Sequence, residues 1–194
     1  MMDTQTNDGS TLREFRRYQL AMRLMVHQAR TQTISAMTSL TRDQLATLRR
    51  RWRVTERTRR RGPSPSSMER FTHSPGARSE GAALVAFCRI HGAVLPPIPG
   101  GSSAIRNLLT LEFGERLSLT YEAYQACFPQ CPLEIEELLS LIVGLAEDKV
   151  IGLGLCSSCG GTVIIDRLAS HRHSCAHCQR AEVVEVGEGV SSDD

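Results

Sequence analysis

Two pairs of cysteines near the carboxyl end could do chemistry: Cys156 with Cys159, and Cys175 with Cys178. Fifteen residues separate the pairs, and the pattern Cys-x2-Cys-x15-Cys-x2-Cys is typical of a four-cysteine zinc site. Two sulfurs three residues apart can turn toward one point, and the chain between the pairs is long enough for a hairpin. Four thiolates leave no open coordination position, so the spacing predicts one structural Zn²⁺ ion per chain and no catalytic metal.

Other roles for cysteine fit the sequence less well. A redox Cys-x-x-Cys motif belongs at the end of a strand in a βαβ unit, whereas the pattern upstream of Cys156 is helical. Structural disulfides are disfavoured, because the total of seven cysteines is odd and we expect a reducing compartment. Cys88, Cys127 and Cys131 lie in apolar helical segments, and we expect them in or near the core as small hydrophobic residues.

Histidines close to the second cysteine pair leave one alternative open. His171 forms the pattern His-x3-Cys-x2-Cys, which resembles that of the zinc-binding anti-sigma factors, so a histidine could exchange with a thiolate. His173 and His177 lie close by in the sequence. Because the four cysteines already fill the coordination places, we favour the interpretation that these histidines are solvated loop residues.

The bulk sequence favours a cytoplasmic protein without membrane contact. The polar amino-terminal segment lacks the apolar stretch of a signal peptide, and the longest apolar runs, such as 141–146, are too short to span a bilayer. No paired catalytic carboxylates in a supporting context, nucleophile elbow or phosphate-binding glycine loop occurs. The sequence therefore predicts a protein that is not an enzyme.

Arginine is concentrated in one part of the chain. Nine arginines lie between Arg42 and Arg61, against only two acidic residues there, Asp43 and Glu56. A basic block of this kind is the electrostatic signature of binding to a polyanion. Arginine suits phosphates and base edges because its planar guanidinium donates two parallel hydrogen bonds.

The segment 31–52 resembles a helix-turn-helix. Thr41 and Gln44 predict a capping box at the start of a helix over 41–53, and Leu40 with Leu45 predicts a hydrophobic staple there. Leu45, Leu48 and Trp52 fall on one side of that helix, which predicts its buried face. Upstream, Ser35 is small where the two helices must approach, and Ser39 stands where glycine is usual in the turn.

The outward side of this helix supplies the predicted DNA contacts. Arg50 could bind guanine and Thr47 could contact a base or a thymine methyl group, while the flanking arginines would hold phosphates. An ordinary amphipathic helix with a solvated basic face is the alternative. The coincidence of cap, staple, apolar face and clustered arginines favours nucleic-acid binding. The candidate DNA-binding residues are Arg42, Thr47, Arg49, Arg50, Arg51 and Arg53.

The sequence as a whole predicts a mainly α fold with a small carboxyl-terminal four-cysteine module. We expect further helices to begin at Thr120 and Pro132, and a strand at 162–166. The first helix is expected from about Thr11. The predicted regions are a helix-turn-helix-like region at 1–53, a basic arm or linker rich in Pro, Ser and Gly at 54–81, a helical core at 82–150, the zinc module at 151–180, and a disordered acidic tail at 181–194.

Taken together, these features resemble the FlhC family, whose members are subunits of a flagellar transcriptional activator. The closest likenesses are "YQLAMRLMVHQAR" at 18–30, "FPQCP" at 128–132, "CSSCGGTVI" at 156–164 and "CAHCQ" at 175–179. The resemblance implies a hetero-oligomer with an FlhD-like subunit that binds promoter DNA and activates flagellar genes with RNA polymerase. It also implies a structural zinc ion held by the four cysteines. The alternative is a zinc-stabilised interaction protein, anti-sigma-like or an adaptor, without direct DNA binding.

Overall fold

The computed structural model describes residues 5–52, 68–98, 105, 107–169 and 173–179. The described chain is mainly helical and ends in a four-cysteine cluster, which confirms the predicted fold class. A 3₁₀ turn at Met68–Phe71 precedes the fourth helix. The helices are α1 (Gln5–Val26), α2 (Thr31–Thr38), α3 (Arg42–Arg51), α4 (Pro75–His91), α5 (Leu111–Cys127) and α6 (Ile135–Glu147), and the strands are β1 (Ile151–Leu155) and β2 (Thr162–Asp166).

Two ion pairs join α1 and α5. The pairs follow one another in the same direction along both helices, which shows that the helices run parallel. Arg16 donates two hydrogen bonds to Glu115, at 2.9 and 2.6 Å, and Arg23 donates two to Glu122, at 3.1 and 2.7 Å. His27 lies 2.8 Å from Glu122 as well. Leucines of both helices are fully buried beneath these pairs, which places the main core between α1 and α5.

These ion pairs lower the pKa of both glutamates. The hydrogen bond from Arg16 is the main cause for Glu115, while partial burial opposes it. Burial raises the pKa of Glu122, but the hydrogen bonds and the positive charges of Arg23 and His27 together lower it by more. A lowered pKa in the folded state stabilises the fold above the ordinary glutamate pKa of about 4.3, and this contribution is lost as the pH falls below it.

Helix α2 is held at its amino end by a carboxylate from α6. Arg30, the residue before the helix, has no side-chain cap of its own. Instead, buried Glu136 accepts a hydrogen bond from the backbone N–H of Arg30, at 2.8 Å, and another from the Thr33 hydroxyl, at 3.1 Å. A carboxylate in this position satisfies a free backbone donor and interacts favourably with the positive end of the helix.

The two strands form an antiparallel hairpin that packs against α4. Its register runs from Ile151 opposite Asp166 to Leu155 opposite Thr162, and the predicted strand at 162–166 is confirmed. The hairpin approaches α4 closely at Gly81, where an added Cβ would lie 2.6 Å from Cγ1 of the fully buried Ile164. Glycine at this position therefore brings the hairpin into contact with the helical body.

Several predicted boundaries are wrong. Helix α1 begins at Gln5 instead of Thr11, and α6 begins at Ile135, three residues after Pro132. No new helix begins at Thr120, because that residue lies inside α5, which Thr110 caps by accepting a hydrogen bond from the Phe113 N–H.

The linker predicted to continue to Gly81 is also wrong for its last part. Ser74 caps the start of α4 by accepting a hydrogen bond from the N–H of Ala77, and Pro75 occupies the first helical position. Phe71 and Arg78 are buried, so the chain from Met68 onward belongs to the helical body. The acidic tail predicted at 181–194 and the part of the arm at 54–67 lie outside the described residues.

Two predicted core residues are exposed. Trp52, the residue that ends α3, is 61% exposed, although its N–H still donates to the Leu48 carbonyl at 3.0 Å. Cys127 is exposed at the end of α5, whereas Cys88 is buried as predicted and Cys131 is half-buried. None of the helices in the described part of the chain is long and apolar enough to cross a bilayer.

Removing the Glu136 carboxylate should destabilise the fold through α2. Because hydrogen bonds to a buried charged group contribute about 1.5–3 kcal/mol, we expect Glu136→Ala to lower the free energy of unfolding by about that amount. Glu136→Gln, which keeps one acceptor oxygen, should lose less. Urea unfolding of the zinc-loaded chain measures both variants. Glu147→Ala, at the carboxyl end of α6, is the matched control, and equal stability of Glu136→Ala and this control would contradict the role.

Candidate functional site

The four predicted metal ligands come together at the tip of the hairpin. Cys156 directly follows β1, Cys159 lies in the turn before β2, and Cys175 and Cys178 lie at the short helical turn 176–179. Their four Sγ atoms all lie within 4.8 Å of one another. The Sγ atoms of Cys159 and Cys175 are 3.7 Å apart, close to the edge of a sulfur tetrahedron with Zn–S bonds of about 2.3 Å. The cluster could hold one zinc ion per chain.

Backbone N–H groups donate hydrogen bonds to three of the four sulfurs. The N–H of Cys175 donates to Cys156 Sγ at 3.3 Å, that of Gly161 to Cys159 Sγ at 3.4 Å, and that of Cys178 to Cys175 Sγ at 3.4 Å. Gly160 has a φ of +73°, a left-handed conformation that glycine adopts without strain and that turns the chain around the first pair. These donors stabilise thiolates, which are the form that binds a metal.

The thiols do not ionise alike in the absence of a cation. Backbone N–H groups, first that of Cys159 and then that of Cys175, lower the pKa of Cys156 to about 6. The N–H of Cys178 likewise lowers the pKa of Cys175. Hydrogen bonds to Cys159 and Cys175 raise the pKa of Cys178 to about 12, so this thiol keeps its proton at neutral pH. Binding of a zinc ion must displace that proton, and the affinity should therefore rise with pH.

The described histidines stand apart from the cluster. The group of side chains close enough to share one ion consists, within the described residues, of the four cysteines alone. The carbonyl of His173 accepts a hydrogen bond from the Ser157 N–H at 3.1 Å, which ties the two halves of the module together, and His177 is exposed. His171 lies outside the described residues.

The second candidate site, the basic helix, lies on a turn with the geometry that the sequence suggested. Ser39, at the position where glycine is usual, has a left-handed φ of 57°. The hydroxyl of Ser35 donates to the Leu40 carbonyl at 2.7 Å, which fastens the turn to α2. The predicted capping box is confirmed, with the Gln44 N–H donating to Thr41 Oγ1 at 3.2 Å and the Thr41 N–H to Gln44 Oε1 at 2.8 Å.

The candidate DNA-binding residues lie on two sides of α3. Arg42, Thr47, Arg50 and Arg51 are exposed and Arg49 is half-buried, while Arg53 lies outside the described residues. The Arg50 guanidinium donates to the Thr47 hydroxyl at 3.2 Å. Thr47 and Arg51 line a groove that α3 shares with α1 and α5, whereas Arg42, Arg49 and Arg50 lie outside it.

This α1–α3–α5 groove was not predicted from the sequence. It has a volume of about 1390 Å³ and is lined by apolar side chains that include Phe15, Trp52 and Leu119. Those three side chains are 58%, 61% and 47% exposed. The periodic pattern placed Trp52 on the buried face of its helix, and it carries no sign of which other helix would cover that face.

Replacing one ligand should remove the metal site. We expect Cys159→Ser to lose most of its zinc, because a serine hydroxyl is a poor substitute for a thiolate. Cys127→Ser is the matched control, since that cysteine is exposed and lies outside the cluster. Zinc content after dialysis and the absorption of the Co²⁺-loaded protein measure the effect. An unchanged zinc content in Cys159→Ser would contradict the assignment.

Comparison with known proteins adds no family assignment. No protein-family model matches the chain, and no curated protein matches its sequence.

Proposed function

We propose that this chain is a zinc-containing DNA-binding transcriptional activator that works with an FlhD-like subunit. The observation that carries the proposal is the arginine-rich face of α3, presented on a tight turn from α2. The resemblance of the cysteine motifs and of the amino-terminal helix to the FlhC family supports the finer part of the proposal. In that part, the complex binds promoters and acts with RNA polymerase to switch on flagellar genes.

The charges on α3 suit a polyanion. The helix contains four arginines, Arg42, Arg49, Arg50 and Arg51, against one acidic residue, Asp43. Arg42 and Arg50 are exposed, and neither forms an ion pair with any described residue. Exposed cationic side chains that have no carboxylate partner among the described residues are available to phosphates, and their binding releases counterions from DNA.

Contacts at the amino end and on the inner side of α3 fix its position relative to the rest of the protein. Its amino end is fixed by the Thr41–Gln44 capping box, and its inner side by fully buried Leu45. A helix that reads the major groove needs its position fixed relative to the rest of the protein, because the base contacts come from a few side chains near its amino end. In this proposal the zinc ion is structural and braces the hairpin against α4.

Salt-dependent DNA binding tests the basic face. In the complex with the partner, on a duplex selected from a random pool, we expect Arg50→Ala to weaken binding about tenfold and to relax the sequence preference. Arg42→Ala should weaken binding to all duplexes and reduce the slope of log K against log salt by about one. Fluorescence anisotropy at several salt concentrations measures both effects.

Arg89→Ala is the matched control, because Arg89 is an exposed arginine in the last turn of α4. It removes the same charge from a helix that the proposal does not place on DNA. If Arg42→Ala and Arg50→Ala bind DNA as the control does, with the same salt slope, α3 does not contact the duplex.

A protein partner is supported by the α1–α3–α5 groove. Exposed aromatic and aliphatic side chains that converge on one groove mark an interaction surface more often than isolated apolar residues do. Arg16 and Glu115, joined to each other, lie on the lining beside the apolar residues and provide polar contacts at its edge.

The groove can be tested without harming the core. Phe15→Glu and Leu119→Glu place charges on exposed positions, and we expect each to abolish co-purification with a co-expressed FlhD-like subunit while the helical circular dichroism stays unchanged. Ile90→Glu is the control, because Ile90 is 76% exposed on α4 and lies outside the groove lining. Retention of the partner by both groove variants would show that it binds elsewhere.

The same groove favours a second candidate function, a zinc-stabilised interaction protein that does not bind DNA. The two functions differ in which variants matter. If the groove variants abolish transcriptional regulation whereas Arg42→Ala and Arg50→Ala leave that regulation intact, the interaction protein is the better description. Loss of regulation in both sets supports the activator.

A further inference from the structure

A zinc ion bound by four thiolates leaves two negative charges in excess at the site. An anion at a protein surface or interior is stabilised by N–H donors and by a nearby cation. The N–H donors are the three backbone groups that point at Cys156, Cys159 and Cys175. They carry only partial charges, so a full positive charge close to the cluster would strengthen metal binding further.

Arg78 is a buried cation for which the described chain offers no carboxylate. Its residue is 8% exposed, and it forms no ion pair with any described acidic residue. Its guanidinium donates to two carbonyls, Thr72 O at 2.9 Å and Ser174 O at 3.5 Å, and its Nε has no hydrogen-bond partner among the described residues. A buried charge without a counterion is costly, and this cost would fall if an anion formed beside it.

The position of Arg78 indicates which anion that is. Ser174, whose carbonyl accepts from Arg78, directly precedes the ligand Cys175. The neighbouring Ser79 accepts a hydrogen bond from the N–H of Ala176, directly after Cys175, at 3.1 Å. The first turns of α4 therefore form hydrogen bonds with the residues on both sides of one metal ligand, Cys175.

We propose that Arg78 is a positioning residue of the metal centre, which compensates the excess negative charge of the zinc-bound thiolates and orients the segment carrying Cys175. The proposal rests on the metal centre and is independent of DNA binding. The alternative is that Arg78 only ties together two backbone carbonyls. In that case its hydrogen bonds matter and its charge does not.

Measurements of metal affinity distinguish the effect of the Arg78 charge from the effect of its packing. The full chain is titrated with Co²⁺ and then with Zn²⁺ against a chromophoric chelator, for the wild type, Arg78→Met, Arg78→Gln and Arg78→Lys. We expect the two neutral variants to bind Zn²⁺ about 10–100-fold more weakly, as is usual for loss of a residue that supports metal ligands. Arg78→Lys keeps the charge and should recover most of the affinity. Gln is included in case Met prevents folding.

The absorption bands of the Co²⁺-loaded protein provide the second readout. Bands of four-thiolate coordination that are unchanged in all variants show that the ligands stay the same while the affinity changes. Arg89→Met is the control and should bind as the wild type does. Equal affinity of the neutral variants and the wild type would overturn the proposal, and so would an equal loss in Arg78→Lys and Arg78→Met. Absence of thiolate bands in the wild type would instead contradict the metal centre itself.

Discussion

Four sulfurs within 4.8 Å of one another repel each other when they are thiolates. A cation bound among them would attract all four and outweigh that repulsion. The hairpin that carries the first cysteine pair has two strands, and a hairpin of this size is marginally stable by itself. The four cysteines could hold an ion that would stabilise it at one end, and α4 packs along one face. Gly81 permits the contact with α4, because a larger residue would collide with Ile164. The four-cysteine cluster, the hairpin and α4 therefore form one structural unit.

The helix-turn-helix pair is connected to that unit through the core. Helix α4 packs against α5, and α5 is joined to α1 by parallel arginine–glutamate pairs. Glu136 of α6 then holds the start of α2. Because these contacts lie away from the outer face of α3, the exposed Arg42 and Arg50 contribute little to folding. Their concentration on one helix is then better explained by a function at the surface.

Local interactions could be predicted from the sequence, and contacts between distant segments could not. The cysteine cluster and the Thr41–Gln44 capping box follow from spacings within short stretches. Glu136 and Arg78 form hydrogen bonds with segments about a hundred residues away in the sequence. Contacts over such a separation produce no periodic pattern in the sequence. The prediction failed at 68–81 because Pro, Gly and Ser there indicate a loop, although Ser74 and Pro75 form the start of a helix. It failed at Trp52 because periodicity shows which side of a helix is apolar and not whether another segment covers that side.

The two sides of α3 bear on how a partner could influence DNA binding under the proposed function. Thr47 and Arg51 line the α1–α3–α5 groove, whereas Arg42 and Arg50 lie outside it. A protein seated in the groove would cover the first pair and leave the second accessible to phosphates. It would also pack against Trp52, directly after the last helical residue, and so restrain the end of α3 where the basic segment continues. Partner binding would then leave Arg42 and Arg50 to the phosphates, whereas Thr47 and Arg51 would be withdrawn from the duplex while the partner is bound.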